Sequence, residues 1–323
     1  MNQIDCHLCG ARTRQLLYEI PDSVDEGTAW PVWQCAECSL VFLSPPPDGQ
    51  ALSRHYQPEY YGRDSKRFGG PFEAFEVWCR GLRARDISRL RSPGRILDVG
   101  CGRGIMLSRL RDAGWEAIGT EVSDMAARHA RERLGLEVHT ADLRDLPYPP
   151  GHFDVITFYH TLEHLLEPRN VLETAHQLLR PGGALVVAVP NIDSLEAALV
   201  GPSWFHLDVP RHPVHFSTRT LTSLLEDLGF RLTRLKRFSL QYGPYGMAQS
   251  LLNGLGFEPN LLYDSLKTPG ARAPRGLRGP RRALQLAANV ALLPVIAPLA
   301  GLLHLVDGLV GRGSCIEVHA DRL

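Results

Sequence analysis

The N-terminal decapeptide MNQIDCHLCG carries no apolar run, so it does not read as an export signal, and a cytoplasmic, reducing compartment is the expectation. Neither sign of charge prevails: 35 Lys and Arg balance 35 Asp and Glu. Zero net charge removes any global attraction to nucleic acid and leaves room only for a local basic patch. No internal repeat is present. Residues 283–306 hold no Asp, Glu, Lys or Arg at all. Cysteine is sparse, seven in 323 residues, yet four of the seven fall as two Cys-x-x-Cys pairs, Cys6/Cys9 and Cys35/Cys38. Without an export signal that spacing points to a metal rather than to disulfides. Four thiolates make a closed tetrahedral Zn²⁺ shell with no open position for catalysis, and a lobe this small needs the metal to fold. The isolated Cys79, Cys101 and Cys315 read as small buried hydrophobes.

What is abundant is strand–helix alternation. The apolar runs RILDVG, EAIGTEV, LEVHTAD, FDVITFY, ALVVAVP and RLTRLKRFSL are separated by segments of helical period such as IMLSRLRDAG and EPRNVLETAHQLLRPGG. Such alternation predicts an α/β fold, a doubly wound and mostly parallel sheet with helices on both faces. Five segments follow: a zinc-ribbon lobe over 1–47, a helical linker or lid over 48–92, the sheet core over 93–240, an apolar insertion over 241–311, and a final strand over 312–323.

The first core strand runs into Asp98-Val-Gly-Cys-Gly-Arg-Gly104. Gly100, Gly102 and Gly104 let backbone approach a ligand closely. The spacing is GxGxG rather than the GxGxxG that suits a pyrophosphate at a helix N-terminus. A carboxylate beside the turn repels a diphosphate and welcomes a cation. S-adenosylmethionine (SAM) has a sulfonium and an ammonium and no phosphate. Glu121 ends the second strand, where a carboxylate can accept both ribose hydroxyls. Asp142 follows the third, where it can accept from an adenine amino group. Cys101, Val122, Leu143 and Tyr159 complete the candidate cofactor set.

On LDVGCGRG, Glu121, ADLRDLPYPPGHFDVITFYHTLEHL and LLRPGGALVVAVPN, residues 93–240 resemble the class I SAM-dependent methyltransferases, in the branch of ubiquinone-biosynthesis O-methyltransferases and sugar C-methyltransferases. The cysteine-rich lobe is similar to that of the sugar C-methyltransferases. The resemblance implies a seven-stranded sheet of order 3-2-1-4-5-7-6, with CIEVHA as the antiparallel strand inserted beside RLTRLKRFSL. It implies methyl transfer from SAM to an oxygen or carbon of a small-molecule, lipid-linked or nucleotide-linked acceptor, such as a glycan precursor or a quinone-like ring.

Candidate catalytic residues are His160, Glu163 and His164 in FYHTLEHL. If a helix starts there, their i, i+3, i+4 spacing points them one way. The ubiquinone-type relatives carry ExxEH at this place, with a divalent metal implied. His160 stands where the first Glu would be, which makes Mg²⁺ doubtful and favours softer ions. General base, metal ligand and loop brace all stay open. Arg211, His212 and His215, with His206 and Asp208 nearby, crowd a loop that closes over the acceptor in the relatives, and Ser217 or Thr218 fits the N-cap of the next helix. Tyr56, Tyr60 and Tyr61 are candidates for a lid or for plain packing.

The charge-free run 283–306 is long enough to span a bilayer. Pro294 and Pro298 are expected to break it, and the chain must return to the sheet for its last strand. A helical hairpin, an interfacial amphipathic segment over 272–306, a substrate cap and a homodimer surface remain. Arg272, Arg275, Arg278, Arg281 and Arg282 just before it suit anionic headgroups of the inner membrane face. The alternative of a zinc-ribbon RNA-modifying enzyme or RNA-binding module is disfavoured, because the lobe sets His7, Arg12 and Arg14 against Asp22, Asp25, Glu26 and Glu37. No nucleic-acid partner is expected.

Overall fold

The computed structural model describes residues 5–25, 27–56, 68–267 and 279–323. Tyr60, Tyr61, Arg272, Arg275 and Arg278 lie outside the described residues.

Strands β1 (Arg14–Pro21), β2 (Ala29–Cys35) and β3 (Val41–Leu43) pair antiparallel in chain order to form the N-terminal lobe. Asp48 then caps the short α1 (Gly49–His55), its carboxylate accepting from the Ala51 amide at 2.7 Å. Helix α2 (Gly70–Leu90) leads into the core. The core continues through β4 (Arg95–Val99), α3 (Ile105–Asp112), β5 (Glu116–Thr120), α4 (Asp124–Leu134), β6 (Glu137–His139), β7 (Phe153–Tyr159), α5 (Pro168–Leu178) and β8 (Leu179–Pro190). After α6 (Leu195–Val200) come β9 (Val214–His215), α7 (Thr218–Asp227) and β10 (Phe230–Lys236). Helices α8 (Gly243–Gly254), α9 (Leu261–Leu266) and α10 (Gly279–Leu309) precede β11 (Cys315–Arg322).

The large sheet has the order β6-β5-β4-β7-β8-β11-β10. Strand β11 runs antiparallel to both β8 and β10, and the others are mutually parallel. This is the order expected from the sequence. Its centre is explained by composition: Ala184 to Pro190 of β8 are all buried because helices cover both faces, so the strand reads as one apolar run. In edge strand β10 only Phe230 is buried, and the rest are half-buried or exposed. Ser217 does cap α7, accepting from the Thr220 amide at 3.1 Å while Thr220 Oγ1 accepts from the Ser217 amide at 2.8 Å.

The lobe is stitched into this core. Strand β9, from the loop between β8 and α7, pairs with β3 as a fourth lobe strand, His215 opposite Val41 and Val214 opposite Phe42. Arg169 of α5 donates to the Leu8 carbonyl at 3.2 Å. Cys6, Cys35, Leu40 and Phe42 pack in one hydrophobic cluster with Phe158, Val187 and Phe230 of the large sheet.

One expectation is corrected. Pro294 and Pro298 do not break the apolar run, which is a single helix, α10. Each proline removes one amide donor, but Ile296 and Ala300 beside them are buried against Met247, Ala248 and Leu252 of α8, and that packing holds the helix through both positions.

Candidate active site

The glycine turn after β4 is shaped by three different needs. Gly100 (φ 75°) has no room for a side chain, since a Cβ would lie 2.5 Å from Thr161 Oγ1. Gly104 (φ 75°) is pressed against α4, where a Cβ would lie 2.5 Å from Leu136 and 3.0 Å from Ala130. Gly102 (φ 57°) is the reverse: beyond its chain neighbours nothing lies within 4 Å of its Cβ position, so that face is open and has room for a ligand. Cys101 tucks its thiol over Gly119 of β5, where a Cβ would sit 2.6 Å from the sulfur. The turn is anchored by Gly100 and Cys101 amides, both donating to the Thr120 carbonyl at 2.9 Å.

Two buried carboxylates face this turn. Glu121 accepts from the Gly102 amide at 2.9 Å and the Ser123 amide at 2.8 Å, which pins one oxygen to the cradle and leaves lone pairs on both. Burial pushes its carboxyl up and those amides oppose the shift. Asp98 accepts from Thr157 Oγ1 at 2.7 Å and is pushed up to about 7 by burial, with Glu121 adding to the rise and Arg83 opposing it. Two buried acids with few compensating charges form a site that gains by taking in a cation. The residues present therefore fit the sulfonium and ammonium of SAM. A testable consequence concerns pH. A bound cation favours the ionised carboxylate, so affinity for SAM falls as pH drops through about 7. The fall from pH 8 to pH 6 is about tenfold, and it disappears in Asp98→Asn. Calorimetry at both pH values checks this, and a flat profile in the wild type contradicts it.

The other candidate cofactor residues are placed differently. Val122 is 80% exposed beside Glu121. Leu143 is buried in the core. Asp142 caps the turn at Leu143–Asp145 and is gripped by Arg144, whose Nε lies 2.8 Å away and holds the carboxyl below its usual range. Accepting from an adenine amino group would compete with that arginine. Tyr159 lies under the Arg83 guanidinium, 4.7 Å from the ring centroid.

No α-helix starts at His160. The chain passes through φ 54° there, a left-handed conformation unusual for a non-glycine, and makes a single 3₁₀ turn at Leu162–His164. His160, Glu163 and His164 therefore do not line one helix face. Instead His160 Nδ1 approaches Glu163 Oε1 at 3.3 Å, its Nε2 lies 3.7 Å from Cys315 Sγ, and its ring leans on Tyr242 at 4.0 Å. His164 turns the other way, toward the loop carrying His212. Donor atoms of Glu163, His164 and His212 all come within 4.8 Å of one another.

Hydrogen bonds fix the two imidazoles. His164 Nδ1 is 2.8 Å from the Arg211 carbonyl and 3.0 Å from Tyr56 Oη. His212 Nδ1 is 2.8 Å from the His206 carbonyl. A carbonyl only accepts, so each Nδ1 carries a proton and donates it there. Burial, then His164, push His212 down to about 4. Burial alone would raise Glu163, but His160, whose Nδ1 lies 3.3 Å from Oε1, together with His164 and His212 brings it to about 2, so it is an anion. The arrangement is a buried carboxylate with imidazole nitrogens of His164 and His212 within 4.8 Å, a set able to hold a proton or a divalent cation.

Arg211 does not face this chamber as a free cation. Its Nε lies 3.1 Å from Asp208 Oδ2, and the pair closes the loop. His215 is buried in β9, where burial pushes it down to about 3, so it supports the lobe–core junction. Sequence reading missed Arg83 and Tyr242, which wall the chamber on the His160 side, with Arg83 5.5 Å from the Tyr242 ring centroid. Only the fold brings residues so far apart in the chain together, and no local spacing marks them.

In the lobe, Cys6 and Cys38 sulfurs are 3.5 Å apart and those of Cys9 and Cys35 3.6 Å, all four within 4.8 Å. A tetrahedral shell with Zn–S near 2.3 Å needs sulfurs about 3.8 Å apart, so the four cysteines fit a zinc ion.

A family profile described as a methyltransferase domain matches residues 73–235, half of the chain. A probable SAM-dependent methyltransferase of Mycolicibacterium smegmatis is 29% identical over 44% of this chain and 54% of its own. A ubiquinone biosynthesis O-methyltransferase of Methylococcus capsulatus is 34% identical over 38% of this chain and 56% of its own. The chain spans about half the length of the curated relatives it matches. Among solved structures, the cyclase SpnF aligns with a TM-score of 0.52 at 19% identity over 86% of this chain and 97% of its own, a likeness of fold. With the glycine cradle, the two strand-tip carboxylates, the sheet order and the matched profile in agreement, the chain belongs to the SAM-dependent methyltransferases.

Proposed function

We propose that this protein methylates an oxygen of a small or carrier-linked acceptor, of quinol, catechol or sugar type, held against Glu163, His164 and His212. The observation that carries the reading is the pair of imidazoles whose Nδ1–H groups are held by backbone carbonyls, gathered within 4.8 Å of the buried Glu163 carboxylate. SAM, when bound, supplies a methyl on a sulfonium that is already an activated leaving group. What remains for the chain is to position the acceptor, exclude water and take a proton. His164 Nε2 accepts the proton of the acceptor hydroxyl. Glu163, ionised and within reach of His160 and His164, stabilises the imidazolium that results. Tyr242 and Arg83 close the His160 side against water.

The same donor set suits a divalent cation. Two imidazoles whose Nδ1 protons are held by backbone carbonyls, with one carboxylate, favour Mn²⁺, Fe²⁺, Co²⁺ or Zn²⁺ over Mg²⁺. Glu163, His164 and His212 would hold it, and it would lower the pKa of a bound acceptor hydroxyl.

The test is transfer of labelled methyl from SAM to a panel of catechols, quinols and nucleotide sugars. His164→Ala lowers turnover by roughly 10²–10⁴-fold, the usual worth of a general base, while SAM affinity stays within about twofold. Unchanged turnover on an accepted substrate would make His164 a brace between Tyr56 and Arg211. Added Mn²⁺ that raises wild-type turnover and not that of Glu163→Gln would select the metal reading.

A further inference from the structure

Helix α10 has its polarity reversed. Gln285, Asn289, His304 and Asp307 lie on the side that packs into the protein, and the last three are 0–1% exposed. Gln285 Oε1 accepts from the Glu258 amide at 2.9 Å, Asn289 Nδ2 donates to the Gln285 carbonyl at 2.9 Å, and Asp307 Oδ1 accepts from the Leu195 amide at 2.9 Å. The opposite stripe recurs at helical spacing and is apolar throughout: Leu284 is 72% exposed, Val295 66%, Leu302 59%, Leu305 55% and Leu309 87%. It runs for about 38 Å of helix. A surface helix in water shows the opposite pattern. Exposed apolar surface on this scale marks a surface built for something other than water.

The charges at its two ends identify the occupant. Arg281 and Arg282 stand at its N-terminal end, and the preceding residues 271–278 add three arginines and no acid in the sequence. At its C-terminal end a groove is lined by Arg219, Arg237 and Arg312, with Asp193 as its single carboxylate. A second copy laid against the stripe, parallel or antiparallel, would bring arginine against arginine at both ends. Anionic headgroups flanking an apolar interior match the pattern at both ends and in the middle. The helix cannot stand across the bilayer. Its inner stripe is covered by α8, with Ile296 and Ala300 packed on Met247 and Leu252, and β11 returns at once into the sheet.

We propose that the outer face of α10 seats this protein, in plane, on a bilayer surface rich in anionic lipid. Helix α8 then lies between the lipid and the reaction chamber, since Tyr242 at its N-cap touches His160. The inference stands apart from the chemistry proposed above, because it needs neither SAM nor an acceptor.

The experiment is flotation of the full chain with vesicles of phosphatidylcholine alone and of phosphatidylcholine and phosphatidylglycerol in equal parts. The wild type floats with the mixed vesicles and releases in high salt. Leu302→Glu/Leu305→Glu binds at least about tenfold more weakly. Arg281→Glu/Arg282→Glu loses the preference for phosphatidylglycerol. Leu302, Leu305 and Arg281 are exposed and Arg282 is half-buried at the surface, so melting temperature and SAM affinity serve as controls and stay unchanged. A wild type that floats with neither vesicle, or one that sediments as a dimer dissociated by Leu302→Glu/Leu305→Glu while vesicle binding is unaffected, overturns the proposal.

Discussion

Glu121→Ala loses SAM by at least about a hundredfold while the protein stays folded. The carboxylate stands at the tip of β5, buried, with its oxygens on the Gly102 and Ser123 amides. Its remaining lone pairs suit the two ribose hydroxyls, and charge-assisted hydrogen bonds of that kind contribute on the order of 1.5–3 kcal/mol each. Two such bonds account for the loss. The substitution also frees the Gly102 amide, so the cradle loses its anchor at the point where a ligand must approach. Glu121→Gln retains part of the hydrogen bonding and loses less. Displacement of a fluorescent SAM analogue measures both variants. An Ala variant with wild-type affinity would mean that this carboxylate braces the turn and does not touch the cofactor.

Loss of the zinc site destabilises the whole chain, not the lobe alone. Cys35→Ser, or treatment with a strong chelator, opens residues 5–44 first. The lobe then takes with it Leu40 and Phe42, which are buried in the same cluster as Phe158, Val187 and Phe230. It also takes β9, which ties His215 and Val214 to β3. Structural zinc contributes on the order of 10 kcal/mol to small domains that fold around it. Even a third of that lowers the melting temperature by about 5 °C in a chain of this size. Because the loop between α6 and β9 carries His212 and Arg211, turnover falls before SAM affinity does. Calorimetric melting with metal analysis of the same samples checks this. A chelated protein that melts as before, with one zinc removed per chain, contradicts it.

Much of this was legible in the sequence because it depends on local spacing. Each Cys-x-x-Cys pair and the GxGxG turn after an apolar strand occupy a few consecutive residues, and the strand-tip acids follow from the repeating strand–helix unit. The chain itself brings such groups together. The sheet order came through resemblance rather than through periodicity, and the pairing of β11 between β8 and β10 agrees with it. What stayed illegible depends on distant pairing. Strand β9 is two residues long and has no pattern of its own. His212 joins Glu163 and His164 from another loop, and the i, i+3, i+4 spacing at His160 pointed to a helix face that the left-handed His160 backbone prevents. Helix α10 was misread for a related reason. Proline propensity records the lost amide, but not the packing of Ile296 and Ala300 that outweighs it. Gln285, Asn289 and His304 form the inner stripe that leaves the outer one purely apolar.

Titration calorimetry of the full chain with SAM, and separately with NAD⁺, bears most directly on the pocket that the proposed chemistry depends on. Asp98 and Glu121 beside a glycine turn without a phosphate cradle should take one SAM per chain, with uptake stronger at pH 8 than at pH 6, and give no heat with NAD⁺. A chain that ignores SAM, or in which NAD⁺ displaces it, would contradict the assignment of those two carboxylates to a cationic adenosine ligand.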